Sequence, residues 1–212
     1  MILKAFTTRD EFKIKNSNGS FKENLQEMSI EGEEYTFTAG FTLHDRKNRK
    51  IIADVSGIFF DEDKIKYEYG SIVEIADMID SDVYESVKAL YKSKIYNQEI
   101  DEEKYFLPLF SCYIQRIYVY PEYRNKGIAR FIFKNLDQLF LYLFNTNIHC
   151  LFIIPKPQEP IKREKYKEWK NTPDEDGMIL KRMIKLLKME GYKQIGRTNI
   201  YCKNYASYEN CN

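Results

Sequence analysis

Ile114-Gln-Arg-Ile-Tyr-Val-Tyr-Pro-Glu-Tyr-Arg-Asn-Lys-Gly-Ile-Ala-Arg-Phe-Ile-Phe133 decides how the rest of this chain is read. It has the pattern of a strand, a short turn and the opening of a helix. The turn, Arg124-Asn125-Lys126-Gly127-Ile128-Ala129, is basic and contains a glycine. The first four N–H groups of a helix have no intrahelical acceptor, and the helix dipole concentrates partial positive charge there. A pyrophosphate can accept several of those donors at once. Gly127 lets the backbone approach a ligand closely, Arg124 and Lys126 add charge, and the small Ala129 keeps the first helical turn open. Six residues of this kind also make an ordinary solvated turn, so the flanking sequence has to decide.

Downstream, Ala129, Phe133, Leu136, Phe140 and Leu143 recur at spacings of three and four, which predicts an amphipathic helix over 128–144. His149-Cys-Leu-Phe-Ile-Ile154 is a continuous apolar run closed by Pro155, as expected of a strand buried on both faces. Strand, helix and strand in that order predict a parallel pair with a right-handed crossover. Pro155 to Asp176 reads as a long charged loop with one helical turn around 165–170. A helix is expected over 178–190, with Ile179, Leu180, Met183, Ile184 and Leu187 on its buried side and Gly191 just past its end. Short strands at 192–195 and 199–203 follow, and the tail from Ala206 reads as frayed.

Upstream, residues 1–34 are polar and weakly patterned. Tyr35 to Leu43 and Ile51 to Phe60 alternate as strands around the polar turn 44–50 and predict a hairpin. Ile72, Ile75, Ala76 and Ile79, then Val83, Val87 and Leu90 after the capping segment Asp80-Ser81-Asp82, fit two short helices or one broken helix equally well. Phe106 to Val119 reads as the long strand that leads into the turn. The fold class is therefore α/β (α+β): a mixed, twisted sheet flanked by helices around a strand–helix–strand core, in a single domain over residues 1–212.

With 212 residues, 43% of them apolar and 31% charged, the chain can bury a sizeable core. A net charge of +1 provides no global attraction to nucleic acid or to an anionic membrane. No stretch approaches the ~18 to 20 apolar residues of a membrane helix, and the N-terminus lacks the apolar run of a signal peptide. Cys112, Cys150, Cys202 and Cys211 are scattered, and His44 and His149 do not complete a metal-ligand spacing with them. These features lead us to expect a reduced, cytoplasmic, metal-free protein.

The segment Ile117-Tyr-Val-Tyr-Pro-Glu-Tyr-Arg-Asn-Lys-Gly-Ile-Ala resembles the acetyl-CoA signature of the GNAT superfamily of N-acetyltransferases, apolar-x-Val-x-Pro-x-Tyr-[Arg/Gln]-x-x-Gly-x-[Gly/Ala]. The spacing from Val119 to Arg124 to Ala129 matches without a gap. The resemblance is specific over residues 112–144 and extends in element order to about 203, where Glu190-Gly191-Tyr192 is similar to the Gly-Phe that ends a helix in many members. It implies a GNAT-like sheet with acetyl-CoA as co-substrate and an amine as acceptor. Backbone groups of Ile117, Tyr118 and Val119 would pair with the pantetheine arm, and an N–H there would polarise the thioester carbonyl. The amides of Arg124, Asn125, Lys126, Gly127, Ile128 and Ala129 would hold the pyrophosphate, with Arg130 within reach of a phosphate. A homodimer is common in the family, although no self-complementary face is legible here.

The implied reaction is direct attack of a primary amine of a small molecule or peptide on the thioester. An alkylamine of pKa ~10 is mostly protonated at neutral pH, so a base or a water chain must take its proton. Here the chain departs from the pattern. Leu187 stands where many members carry a general-acid tyrosine, and Tyr113 stands where some carry a glutamate on the central strand. Period-two alternation puts Tyr113 on one face with Gln115 and Ile117, able to line an acceptor cleft or simply to pack. Glu159 and Tyr166 fall near the expected acceptor mouth, where a carboxylate is usually just solvated. Trp169 can cover the substrate or anchor its loop. His149, Cys112 and Cys150 read as structural, and the acidic stretches 61–63 and 99–103 as solvated turns. Two other readings stay open. One is an acyl-CoA-binding or regulatory module that does no chemistry. The other is a phosphate-binding α/β protein unrelated to CoA.

Overall fold

The computed structural model describes residues 2–7, 35–45, 47–93, 109–144, 147–162, 167–174 and 177–205. Expectations for most of 1–34, for 98–103, for 106–108, for Tyr166 and for the tail from Ala206 fall outside these residues. The edge strand β1 (Ile2–Thr7) lies antiparallel to β2 (Thr36–His44), within a stretch whose sequence is too weakly patterned to announce a strand. The expected hairpin forms from β2 and β3 (Ile51–Asp61), with Phe41 opposite Val55. Among the described residues these join β4 (Leu109–Val119), β5 (Asn147–Ile153), β8 (Lys193–Gln194) and β9 (Tyr201–Asn204) in a seven-stranded mixed sheet, ordered β1-β2-β3-β4-β5-β9-β8.

Among the described residues, three short helices follow β3. The first, α1 (Glu62–Glu68), replaces the solvated acidic turn expected at 61–63. Asp61 is its N-cap: the carboxylate is buried at 1% exposure and accepts from the Lys64 amide at 3.3 Å. An acidic first turn suits the positive end of a helix. α2 (Ile72–Asp77) and α3 (Ser81–Tyr91) are separate helices, capped by Ser71 and Asp80. Their apolar sides, Ile72, Ile75, Ala76, Val83, Val87 and Leu90, pack with Ile58, Phe60, Tyr113 and Phe152 on one face of the sheet.

The opposite face carries α4 (Ile128–Phe144). Its fully buried residues are Ile132, Phe133, Leu136, Phe140 and Phe144, so the buried stripe is shifted from the expected one and Ala129 and Leu143 are only partly covered. They pack with Phe41, Phe59, Phe110, Cys112, Ile114 and Leu187. Ring contacts tie the helix to the sheet, Phe59 lying 4.8 Å from Phe140 in an edge-to-face arrangement. Cys112 and Cys150 are buried free thiols in adjacent strands, and desolvation pushes both well above the usual thiol range.

β4 (Leu109–Val119) and β5 (Asn147–Ile153) are parallel, as a strand–helix–strand unit requires. Their ladder covers only the first part of β4. It runs from Leu109–Asn147 to Tyr113–Phe152 and stops, while β4 continues for six more residues with β3 alone as partner. A bulge lies at the same place. Ser56 faces Arg116 and Gly57 faces Ile114, so Gln115 has no opposite residue on β3. One extra residue reverses the facing of everything after it. Phe110, Cys112 and Ile114 point to the α4 side, and beyond the bulge Ile117 and Val119 do so. Tyr113 points to the other side. The shared face expected for Tyr113, Gln115 and Ile117 is therefore corrected: the bulge places Tyr113 and Ile117 on opposite faces.

The region expected as a loop with a helical turn is instead a two-stranded hairpin, β6 (Gln158–Lys162) and β7 (Lys167–Asn171), with Glu159 opposite Lys170 and Pro160 opposite Trp169. Charged residues alternating along two edge strands leave no apolar run for a sequence pattern to register. α5 (Met178–Met189) follows, its first amides satisfied by the Asp174 carboxylate at 3.0 Å (Ile179) and 2.9 Å (Leu180). Gly191, at φ 87°, ends it as predicted. Of the five residues expected on its buried side only Leu187 is fully buried, because the N-terminal half of α5 borders an open cleft. β8 (Lys193–Gln194) and β9 (Tyr201–Asn204) complete the sheet edge. Among the described residues no helix is long and apolar enough to cross a membrane.

Candidate functional site

Where β4 and β5 part, a cleft of about 630 Å³ opens. Its floor is the free edge of β4 from Tyr113 to Val119. Ile153, Ile154 and Lys156 line it after the β5 ladder, together with the turn into α4 and with Gln158, Glu159 and Trp169 of the β6–β7 hairpin. Of the sequence-predicted residues, Tyr113, Ile117, Tyr118, Val119, Arg124, Asn125, Gly127, Ile128, Ala129, Arg130 and Glu159 all line it.

The turn is built for backbone display. A 3-10 turn, Pro121–Tyr123, stops the strand, and the Arg124 amide closes it on the Pro121 carbonyl at 3.2 Å. Asn125 (φ 61°) and Gly127 (φ 76°) then take left-handed conformations. Glycine adopts this region without penalty and asparagine tolerates it. A Cβ at Gly127 would meet nothing within 4 Å, so the glycine serves the backbone angle and the open approach, not packing. The first helical bond is from the Phe131 amide to the Gly127 carbonyl, 2.9 Å. The amides of residues 125–130 donate to no described residue, which leaves a run of six donors at a helix N-terminus.

The cationic side chains divide. Arg124 Nε donates back to the Val119 carbonyl at 2.9 Å and its guanidinium lies 5.4 Å from the Tyr118 ring, which pins the turn to the strand end. Arg130 Nε donates to Glu190 Oε1 at 2.8 Å, so its charge is partly engaged at the end of α5. Lys126 turns away from the cleft: Nζ donates to the Glu122 carbonyl at 3.0 Å and sits 5.2 Å from the Tyr123 ring. Its side chain adds no wall to the cleft, although its amide belongs to the display.

The lining around Tyr113 and Arg116 is mixed in charge. Tyr113 is 7% exposed, stacks obliquely on Phe152, and its hydroxyl makes no hydrogen bond with a described residue. Burial first, then the charges of Asp82 and Asp80, push its pKa up, so it stays protonated and can donate. Asp82 pairs with Lys156. Asp80 carries a second duty, accepting from the Val83 amide at 2.9 Å as the cap of α3. Arg116 stacks on Trp169, guanidinium carbon to ring centroid 3.8 Å, and Trp169 meets Tyr118 edge-on at 5.1 Å. The sequence names Asp80 and Asp82 only as part of a helix cap and does not single out Arg116 or Lys156. The bulge that turns Arg116 into the cleft was the hidden step, since strict alternation along β4 puts it on the opposite face from Tyr113.

His149 is at 2% exposure behind the sheet, not at a strand margin. It is the unopposed residue of a second irregularity, between the pairs Phe110–Ile148 and Ser111–Cys150. Its Nε2 lies 3.3 Å from Glu62 Oε1, and Ser111 also donates to Glu62. Burial lowers its pKa to about 4, partly offset by a hydrogen bond with the Phe110 backbone. Neither it nor the buried cysteines line the cleft. Among the described residues no cluster of three or more His, Cys, Asp or Glu is arranged around a metal-sized space. Compared with known proteins, the chain matches no family model and no curated protein.

Proposed function

We propose that the protein is a GNAT-like N-acetyltransferase that moves the acetyl group of acetyl-CoA to a primary amine of a small molecule or peptide. One observation carries the reading: the β4–β5 ladder ends at Tyr113–Phe152, and the strand edge it frees runs, within one cleft, into a turn with six uncommitted amides. An extended arm carrying amide groups can pair with a free strand edge, and a pyrophosphate fits a helix N-terminus.

On this reading, the edge Ile117–Val119 aligns the pantetheine and the amides of residues 125–130 take the pyrophosphate, with Arg124 holding the turn in place. The amine nitrogen forms a bond to the thioester carbonyl carbon, and the carbon–sulfur bond breaks. The proton lost by the amine goes to Glu159 or to water. The departing thiolate accepts a hydrogen bond from the Tyr113 hydroxyl and then a proton from solvent. A neutral Tyr113 suits the donor role and not the base role.

The test is calorimetric titration with acetyl-CoA, followed by release of CoA thiol on addition of an amine panel. Tight binding with amine-dependent release is the expected result. Failure to bind acetyl-CoA would end the proposal. A second reading, an acyl-CoA-binding module without chemistry, draws on Leu187, which is 1% exposed within the core and supplies no proton donor. Binding without release by any amine would favour it.

A further inference from the structure

Arg116 is a charge without a match. Its guanidinium lies within the cleft wall, stacked on Trp169 at 3.8 Å. Its Nε is buried and has no hydrogen-bond partner. Among the described residues it forms no ion pair. The carboxylate that acts on it, Asp54, accepts from the Tyr120 hydroxyl at 2.9 Å. Desolvation lowers its pKa to about 10, which still leaves it charged at neutral pH. A partly buried cation that lacks an anion is costly, and a guanidinium fork is shaped for a carboxylate. Of the carboxylates that line the cleft, Asp82 and Asp80 act on Tyr113 and none acts on Arg116; the one that does, Asp54, is not part of the lining. The cleft therefore has a carboxylate-seeking place at Arg116, apart from the acidic groups near Tyr113, of which Asp82 is paired with Lys156.

From this we infer that the acceptor is an amino-carboxylate, a molecule carrying a carboxylate held by Arg116 beneath Trp169 and an amine directed towards Tyr113. The inference rests on the acetyltransferase reading for the fate of the amine, but the carboxylate site stands on Arg116 alone. A simple diamine would leave the guanidinium unmatched and bring a second positive charge towards it. A charge-assisted bidentate contact contributes a factor of about tenfold or more in affinity.

Trp169 is the only tryptophan in the chain, so its emission reports on this place directly. The protein, saturated with CoA, is titrated with the proteinogenic amino acids, each compared with the amine that lacks its α-carboxylate. At least one amino acid is expected to change Trp169 emission saturably and to bind at least about tenfold tighter than its amine counterpart. Arg116→Gln is expected to abolish that preference and Arg116→Lys to restore part of it, with CoA affinity unchanged in both. Circular dichroism establishes that each variant is folded. The inference is overturned if no amino acid binds, if the amines bind as well as the acids, if Arg116→Gln keeps the preference, or if that variant instead loses CoA. Acid binding without acetyl transfer would sink the transferase reading and leave the carboxylate site standing. Transfer to amines that lack the carboxylate would do the reverse.

Discussion

Tyr113 and Phe152 form the last rung between β4 and β5, with ring centroids 5.6 Å apart. The ring of Tyr113 thus belongs to the core, while its hydroxyl belongs to the cleft. Tyr113→Phe separates the two. Urea unfolding should show a change below about 0.5 kcal/mol, because the packing is kept. The rate of CoA thiol release should fall at least about tenfold, since a positioned proton donor contributes that much or more. An unchanged rate would remove Tyr113 from the reaction.

Gly127 allows stability and binding to be pulled apart in the same way. At φ 76° an alanine is strained by about 1 kcal/mol, whereas asparagine tolerates this region better. Both place a Cβ in front of the amide run, where nothing now stands. Gly127→Ala should lower stability more than Gly127→Asn, and both should weaken acetyl-CoA binding in calorimetry. If binding tracks stability instead of the presence of a Cβ, the open approach to the amides is unimportant.

Gly57 faces the bulge from β3. A Cβ there would lie 2.6 Å from Cys112 Sγ and 3.1 Å from the Tyr113 carbonyl oxygen. Gly57→Ala should cost about 1–3 kcal/mol in urea unfolding through overpacking. Adding Cys112→Ala should return part of that loss, giving a coupling in a double-mutant cycle. Simple additivity would mean that the sulfur is not the obstacle.

His149 makes stability depend on pH. Its folded pKa, about 4, lies below the ordinary 6.5, so the folded state binds fewer protons in that window. Its contribution is complete above about pH 6.5 and is lost as pH falls towards 4, with up to about 2 kcal/mol gone at pH 5. Urea midpoints at about pH 7 and pH 5 should differ by less in His149→Gln than in the parent. An equal drop in both would assign the acid sensitivity elsewhere.

Several elements were legible because their signals are local. The stripe of α4, the apolar run of β5, the Asp80 cap and Gly191 each declare themselves within a few residues, and the structure has them. The turn at 124–130 was legible for the same reason. β1 and the β6–β7 hairpin were not: the apolar residues of β1 are followed by a weakly patterned stretch with no hairpin partner close in sequence, and the hairpin carries no apolar run of its own. α1 was hidden by its acidity, which reads as solvent exposure until Asp61 is seen as a buried cap. The lining of the cleft around Tyr113 and Arg116 was least legible. It is assembled from α3, β4, the start of the hairpin and Trp169, and its facing hangs on a bulge that period-two reasoning steps over.

Gln115 gives β4 two reading frames. Up to Ile114 the even-numbered residues serve the α4 core, and from Ile117 the odd-numbered residues do. Arg116 and Tyr118 are therefore written in a different frame from Cys112 and Ile114, although they share one strand. Changes at positions 116 and 118 can retune what the cleft accepts without being read by the core, while loss of the single residue Gln115 would merge the two frames into one regular strand and leave every facing as it is.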